Sequence, residues 1–152
     1  MPKFASERRV AHSAADMFAL VADVEAYPKF VPLCRALIVR GHATEEGRDI
    51  VVADMTVAYG PVHETFTTRV TLDRAALTIR AEYVNGPFRH LDSRWTFAPT
   101  GERSCLVRFA IDYEFRSRSL AMLMGSMFDR AFRKFAEAFE ARADAVYGKA
   151  TA

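Results

Sequence analysis

The chain has 152 residues, of which 51% are hydrophobic and 26% are charged, with a net charge of +2. This length and composition predict one globular domain over residues 1–152 with a single core, and they exclude intrinsic disorder. The net charge is too small to indicate nucleic-acid binding by itself. Aromatic residues are abundant at 12%, twelve of them Phe, so their positions matter for function.

The cysteines and the N-terminus indicate the compartment. Cys34 and Cys105 are far apart and form no Cys-x-x-Cys motif, a usage typical of reducing compartments. The segment from Met1 to Arg9 lacks the apolar stretch of a signal peptide, and no apolar run approaches the ~20 residues that span a bilayer. We therefore expect a cytoplasmic protein, or one that is peripheral to a membrane.

The first quarter of the chain predicts one strand and two short helices. Residues 3–11 are typical of an edge strand. Ser13 stands where a helix cap would, and apolar residues recur at helical spacing over 13–23. A helical turn near 25–30 must end before Pro32.

The central region predicts a meander of antiparallel strands separated by turn residues. Apolar and polar residues alternate with period two, most clearly from Cys105 to Phe115, which indicates a sheet with one buried face. The turns fall at the Gly41 to Gly47 stretch, Asn85-Gly86 and Pro99-Thr100-Gly101. The predicted strands are 33–42, 48–59, 62–73, 77–84, 90–98 and 104–115.

From Ser117 the apolar residues recur at threes and fours, which predicts one long amphipathic helix that ends at Gly148. The expected fold class is α+β, with a curved antiparallel sheet of about seven strands wrapped around this C-terminal helix. A curved sheet cannot touch one helix everywhere, so a cleft is expected between them.

The strand parity predicts an apolar, ring-rich wall for this cleft. Its candidates for contacting a ligand are Met55, Tyr59, Phe66, Tyr83, Phe88, Trp95, Phe109, Met124, Met127 and Phe128. Each of these residues could equally belong to a filled core. The high number of rings in so small a protein favours a pocket.

Glu64 shares the inward parity of Phe66 and is the charged candidate for this site. A buried carboxylate needs a partner or a raised pKa, so Glu64 is expected to contact a ligand, act as an acid or pair with an arginine at the rim. Thr68 and Ser93 are weaker polar candidates.

No catalytic or metal-binding constellation stands out. The four histidines are scattered, and neither a nucleophile triad nor a glycine-rich phosphate loop is present. We therefore expect no catalytic residue, no metal and no cofactor.

A basic cluster lies in and just before the long helix. It is either a solvated polar face or a surface that docks on anionic lipid or RNA phosphates. Its residues are Arg116, Arg118, Arg130, Arg133 and Lys134.

Several segments together resemble the coenzyme Q-binding START-domain family, which includes RatA-type toxins, over nearly the whole chain. The most specific segment is Val21 to Cys34, where Leu33 stands in place of an expected Trp. The other matching segments are Glu64-Thr65-Phe66, Gly86-Pro87-Phe88, Trp95-Thr96-Phe97, Phe115 to Leu120, Ala138 to Ala143 and Val146-Tyr147-Gly148.

The resemblance implies a helix-grip fold whose hydrophobic tunnel binds ubiquinone or a polyprenylated precursor without catalysis, with peripheral contact to the inner membrane. It also implies an alternative, a toxin that binds the large ribosomal subunit and blocks subunit association. A cyclase or aromatase is the third option, because such enzymes share the wider superfamily fold. Oligomeric state is left open.

Overall fold

The structure is a computed structural model that describes residues 3–148, apart from the side chain of Tyr59. The strands are β1 (Lys3–Val10), β2 (Cys34–Glu45), β3 (Arg48–Tyr59), β4 (Val62–Asp73), β5 (Thr78–Asn85), β6 (Phe88–Gly101) and β7 (Ser104–Phe115). The helices are α1 (Ala14–Ala22), a 3₁₀ helix (Val24–Lys29) and α2 (Arg118–Tyr147).

The seven strands form one antiparallel sheet in the order β1-β7-β6-β5-β4-β3-β2. Strands β2 to β7 are a meander, and β1 returns to pair with the last strand. Helix α2 packs against β1, β7 and α1, on one side of the concave face. The predicted α+β fold, a seven-stranded sheet around a long terminal helix, is confirmed.

Serine hydroxyls fix the starts of both α-helices. The Ser13 hydroxyl accepts a hydrogen bond from the backbone N–H of Asp16, and the Ser117 hydroxyl accepts one from that of Leu120, each at 3.1 Å. Gly148 follows α2 with φ 87°, a conformation that glycine adopts without a steric penalty. The predicted ends of the long helix are therefore confirmed.

Two predicted strands were too short. The strand predicted over 33–42 continues to Glu45, because register shifts in its pairing with β3 accommodate Gly41 within the strand, and the turn is Glu46-Gly47. The strand predicted over 90–98 covers Phe88–Gly101, since a register shift after Pro99 lets β6 pass the proline that was expected to end it.

The two faces of the sheet carry opposite chemistry. On the convex face, cross-strand ion pairs join Arg40 to Asp54, Arg48 to Asp73 and Arg80 to Asp92, at 2.6 to 3.1 Å. The concave face is apolar and forms the core with the helices. The charged side chains of the convex face therefore pair with one another in solvent, whereas the apolar concave face must be buried against other elements.

Polar contacts tie the far end of α2 to the N-terminal segment. His12 lies 2.7 Å from Asp144 and is 5% exposed, while Arg8 pairs with Glu140 at 2.7 Å. The Tyr147 hydroxyl also donates to the backbone carbonyl of Asp16. These contacts position the C-terminal half of α2 over the sheet.

Gly86→Ala is expected to destabilise the protein by about 2 kcal/mol, measured by urea unfolding. Gly86 has φ 142°, and an added Cβ would lie 2.6 Å from the Cβ of Phe66. Gly41→Ala is the matched control, because no atom lies within 4 Å of its Cβ position. Equal stabilities for the two variants would contradict this account of the β5–β6 loop.

Candidate functional site

A cavity of about 120 Å³ lies between the concave face of the sheet and α2. Strands β2 to β7, residues 24–32 and α2 all contribute to its wall. Residues 24–32, the 3₁₀ helix and the residues that follow it, are called the 3₁₀ segment. The lining residues are Val24, Tyr27, Val31, Pro32, Leu33, Leu37, Ala53, Met55, Val57, Phe66, Thr68, Val70, Ile79, Ala81, Leu91, Ser93, Trp95, Phe109, Ile111, Phe128, Ala131, Phe132 and Phe135.

The cavity exists because aromatic contacts hold α2 in place while small side chains line the space between. The Trp95 ring lies 5.0 Å from Phe139 and 4.5 Å from Phe109, measured between centroids. Ala81 on β5 and Ala131 on α2 point small side chains into the gap that remains. The packed aromatic rings therefore set the distance between α2 and the sheet, and the small alanine side chains leave the space between them unfilled.

The 3₁₀ segment forms one wall of the cavity and is anchored by a few specific contacts. The Tyr27 hydroxyl donates to the backbone carbonyl of Val21, and burial raises the pKa of this phenol far above its ordinary value. The Phe30 ring packs edge-on against Phe139 at 5.0 Å and lies under the guanidinium of Arg142 at 5.4 Å. Ring contacts therefore hold this segment to α2.

Leu33 joins the 3₁₀ segment to β2 with a strained backbone. Its φ is 66°, a left-handed conformation that is uncommon for a residue with a branched side chain. The Leu33 carbonyl accepts a hydrogen bond from the N–H of Ala58, and its side chain lines the cavity. This strained link between the two elements therefore contributes directly to the wall.

The polarity of the cavity is set by two hydroxyl groups. None of the lining residues is charged. Thr68 on β4 and Ser93 on β6 are each 8% exposed, and within residues 3–148 neither hydroxyl takes part in a side-chain hydrogen bond. These two groups can donate to or accept from a molecule in the cavity.

Five of the residues predicted to contact a ligand are brought together in this wall. They are Met55, Phe66, Trp95, Phe109 and Phe128. As ligand contacts they stay predictions, but their convergence on one cavity follows the strand parity. The side chain of Tyr59 lies outside the described part of the structure.

Four other residues predicted for the wall do not line this cavity, and as ligand contacts they stay predictions. Phe88 is fully buried in an aromatic cluster, where it stacks on Phe115 at 4.9 Å, and the Tyr83 hydroxyl accepts from its backbone N–H. Met124 is fully buried, and half-buried Met127 packs beside the core. These side chains close the end of the core near the start of α2.

Glu64 has the predicted inward parity but does not reach the cavity. It pairs with Val57 near the start of β4, two residues before Phe66, and it is half-buried. Within residues 3–148 its carboxylate forms no ion pair, so the expected arginine partner at the rim is not found there.

Part of the wall was not predicted from the sequence. The 3₁₀ segment and the start of β2 contribute Tyr27, Val31 and Leu37, and α2 contributes Phe132 and Phe135. The helical signal was available, because Phe128, Phe132 and Phe135 recur at threes and fours. The irregular segment around Pro28 and Pro32 has no period from which its inward residues could be read.

The predicted basic residues are all exposed. Arg116 precedes α2, and the other four lie on α2 between its first residue and Lys134: Arg118, Arg130, Arg133 and Lys134. Arg133 pairs with Asp129 at 3.0 Å. The cluster lies on the outside of α2, whereas the apolar residues of the same helix line the cavity.

Residues 3–148 contain no group of three or more His, Cys, Asp or Glu side chains that could hold a metal ion. Over the same residues, no helix combines the length and apolar character needed to cross a bilayer.

Comparison with known proteins gives both a family and relatives. The family described as "Polyketide cyclase / dehydrase and lipid transport" matches residues 10–140. The chain is 34% identical over 140 residues to the ribosome association toxin RatA of Vibrio cholerae, covering 92% of this chain and 94% of the toxin. It is 29% identical to the mitochondrial coenzyme Q-binding protein COQ10 of Drosophila melanogaster, covering 90% of this chain and 56% of that protein.

Solved structures show the same fold. The 18 kDa protein CC1736 from Caulobacter crescentus is 32% identical with a TM-score of 0.79, covering 97% of this chain and 99% of that one. The Zhui aromatase/cyclase from Streptomyces is 16% identical with a TM-score of 0.80, covering 94% and 93%. The helix-grip architecture expected from the sequence is therefore shared with START-type proteins.

Ala131→Leu is expected to fill the cavity and to weaken binding of a neutral apolar dye about tenfold or more, measured by dye fluorescence. Stability should stay the same or rise by about 1 kcal/mol, because the added carbons occupy empty space. Ala141→Leu, at an exposed position of the same helix, is the control and should bind dye as the parent does. Unchanged dye binding in the Ala131 variant would show that the cavity is not the binding site.

Proposed function

Because the chain belongs to the polyketide cyclase/dehydrase and lipid transport family, we propose that its cavity binds a lipophilic polyprenyl quinone, ubiquinone or a precursor, without transforming it. Such binding would support respiratory electron transfer or quinone biosynthesis. The observation that carries the proposal is the uncharged, apolar wall with two free hydroxyls.

The wall selects for a neutral ligand. A carboxylate or phosphate in this cavity would be buried without a counter-charge, at a cost of several kcal/mol. A neutral molecule with a few acceptor oxygens loses much less, because Thr68 and Ser93 can donate to those oxygens. A quinone ring meets both requirements.

The spacing of the two hydroxyls suits such a ring. Ser93 pairs with Ala81 across β5–β6, and Thr68 lies on β4, so one strand separates the two residues. Two strand spacings and an offset of two residues along the strands place their Cα atoms roughly 10 to 12 Å apart. With both side chains pointing inward, two hydrogen bonds leave roughly 4 to 6 Å between their acceptors. This is the scale of a six-membered ring with oxygens at opposite ends.

The cavity holds the ring and only the beginning of a tail. An engineered protein cavity of about 150 Å³ binds benzene, so 120 Å³ corresponds to one small ring. A polyprenyl tail must therefore extend past the 3₁₀ segment or displace it, with each buried CH₂ contributing about 0.8 kcal/mol. To pass this segment, the tail would have to displace the side chain of Phe30 from its contacts with Phe139 and Arg142.

A second candidate function is association with the large ribosomal subunit. Two observations favour it: the named activity of the RatA relatives and the exposed cations on α2. In this function the cations would contact phosphates, and the cavity would serve another purpose or none.

A cyclase-like enzyme is the weakest candidate. The aromatase/cyclase comparison, at 16% identity, shows the fold alone. Glu64, the acid singled out in the sequence, lies outside the cavity wall. The expected acid–base chemistry therefore has no support from the arrangement of the described residues, and we propose no catalytic step.

Titration with a short-tailed ubiquinone is expected to quench the fluorescence of Trp95 to saturation. Trp95 is the one tryptophan in the sequence and lies in the cavity wall, so the signal reports on the site directly. Mass spectrometry of protein purified from a quinone-producing host should find a copurified quinone. Absence of both saturable quenching and copurified quinone would refute quinone binding.

Matched variants locate the ring within the cavity. Thr68→Val combined with Ser93→Ala should weaken quinone binding about tenfold, the loss of two neutral hydrogen bonds, while a tail-matched hydrocarbon binds unchanged. Thr71→Val makes the same chemical change on the outer side of β4 and is the control. Equal losses for quinone and hydrocarbon would place the ring elsewhere.

For the second candidate, added protein should shift ribosome profiles from 70S particles towards free subunits, and salt should weaken the effect steeply. Arg130→Glu should reduce the shift. Arg103→Glu is the control and should leave the shift unchanged. Arg103 lies in the turn that closes the β6–β7 hairpin, whereas α2 follows the other end of β7. Unaltered ribosome profiles would remove this function.

A further inference from the structure

The first turns of α2 expose two large apolar side chains to solvent. Met122 is 84% exposed and Leu123 is 62% exposed, at adjacent positions of the helix. Neighbouring Met124 is fully buried, so the helix has an ordinary inner face here, and the two exposed residues belong to its outer side. Nothing in the packing of the described residues requires apolar side chains at these positions.

Exposed cations lie before and after these two residues along the chain. Arg116, Arg118, Arg130 and Lys134 are exposed, and none of them forms an ion pair within residues 3–148. Arginines on the convex face of the sheet, by contrast, pair across strands, as Arg40 does with Asp54. The positive charge of these four residues is therefore available to attract a partner along α2.

The charges also run against the helix dipole. The N-terminus of a helix favours acidic side chains, yet the first turn of α2 has none and Arg118 begins it. The start of α2 therefore exposes large apolar side chains to solvent, and it also carries arginines where the helix dipole favours acidic residues. Such conflicts with local stability are expected at functional surfaces.

The exposed apolar residues lead along the helix to the cavity. Leu123, Met127, Ala131 and Phe135 follow one another at four-residue spacing, so each lies one turn from the next. Exposure falls along this row from exposed Leu123 through half-buried Met127 to buried Ala131, and both Ala131 and half-buried Phe135 line the cavity. An apolar row therefore connects the solvent-exposed start of α2 with the cavity wall.

We propose that the outer side of α2, from its start to Lys134, is a docking surface for an anionic lipid bilayer, formed by Met122 and Leu123 with Arg116, Arg118, Arg130 and Lys134. The arginines and lysine meet lipid phosphates, and the two apolar side chains enter the interface between head groups and acyl chains. Aliphatic side chains gain little against an RNA backbone, so the combination favours a bilayer over RNA. Docking places the row from Leu123 to Phe135 at the lipid, on the route to the cavity.

The test uses vesicles without quinone, so its outcome is independent of the proposed ligand. The parent protein should cosediment with phosphatidylglycerol-containing vesicles and far less with pure phosphatidylcholine. Arg116→Ala with Arg118→Ala should weaken binding about twenty-fivefold at low salt, about fivefold for each charge. Met122→Ser with Leu123→Ser should weaken it about tenfold or more, with the salt dependence retained.

Ile38→Ser is the matched control, because Ile38 is 53% exposed on the outer face of β2, away from α2. It should leave vesicle binding unchanged, and urea unfolding should show that all variants fold. A solvent-sensitive dye on Met122→Cys should shift to the blue with anionic vesicles, whereas the same dye on Ile38→Cys should not.

Equal binding to both vesicle types, or a loss with Ile38→Ser equal to that with the apolar double variant, would overturn the proposal. Binding to ribosomal particles through the same residues with no vesicle binding would also overturn it and assign the surface to RNA. Quinone binding measured in detergent does not depend on the docking surface, so its result is independent of each of these outcomes.

Discussion

The incomplete contact between one straight helix and one curved sheet is the constraint on which the other features depend. Helix α2 packs along β1, β7 and α1, while β2 to β5 curve past it on the other side. The space that remains cannot be filled by the backbone, so side chains and the 3₁₀ segment decide whether it closes. The Trp95–Phe139 contact fixes the separation, and alanines at 81 and 131 keep the interior open.

The same alternation of side chains that builds the sheet also determines what the cavity can hold. Every second residue of β4 faces inward, so Phe66, Thr68 and Val70 meet the cavity while Arg69 pairs with Glu45 outside. The inward residues of β4 that line the cavity carry no charge, and the whole cavity wall is uncharged. A single period-two pattern thus supports a stable exterior and a neutral interior.

Most of the fold could be predicted from the sequence because its signals are local. Alternation gave β7 to the residue, and serine caps with a final glycine gave both ends of α2. The extension of β2 past Gly41 could not be predicted, since it depends on bulged pairing with β3. Glycine within a strand and glycine in a turn look alike until the partner strand is known.

The candidate site was predicted only in part, for a related reason. Parity places Met55, Phe66, Trp95 and Phe109 correctly on the concave face, but it does not say where along a strand the cavity ends. Phe88 fell beyond that end, against Phe115. The contribution of the 3₁₀ segment arises from tertiary contacts such as that of Phe30 with Phe139. No periodic pattern in the sequence predicts these contacts.

The bulges of β2 have a consequence for how copies of this protein meet one another. β2 is an edge strand of the sheet, and the residues skipped by its two register shifts are Arg35 and Arg40, both exposed. A bulge interrupts the even ladder of N–H and C=O groups that an incoming strand needs. Arg35 adds positive charge at the first interruption, whereas Arg40 at the second is paired with Asp54. This border of the sheet thereby resists edge-to-edge aggregation, even where many copies crowd together.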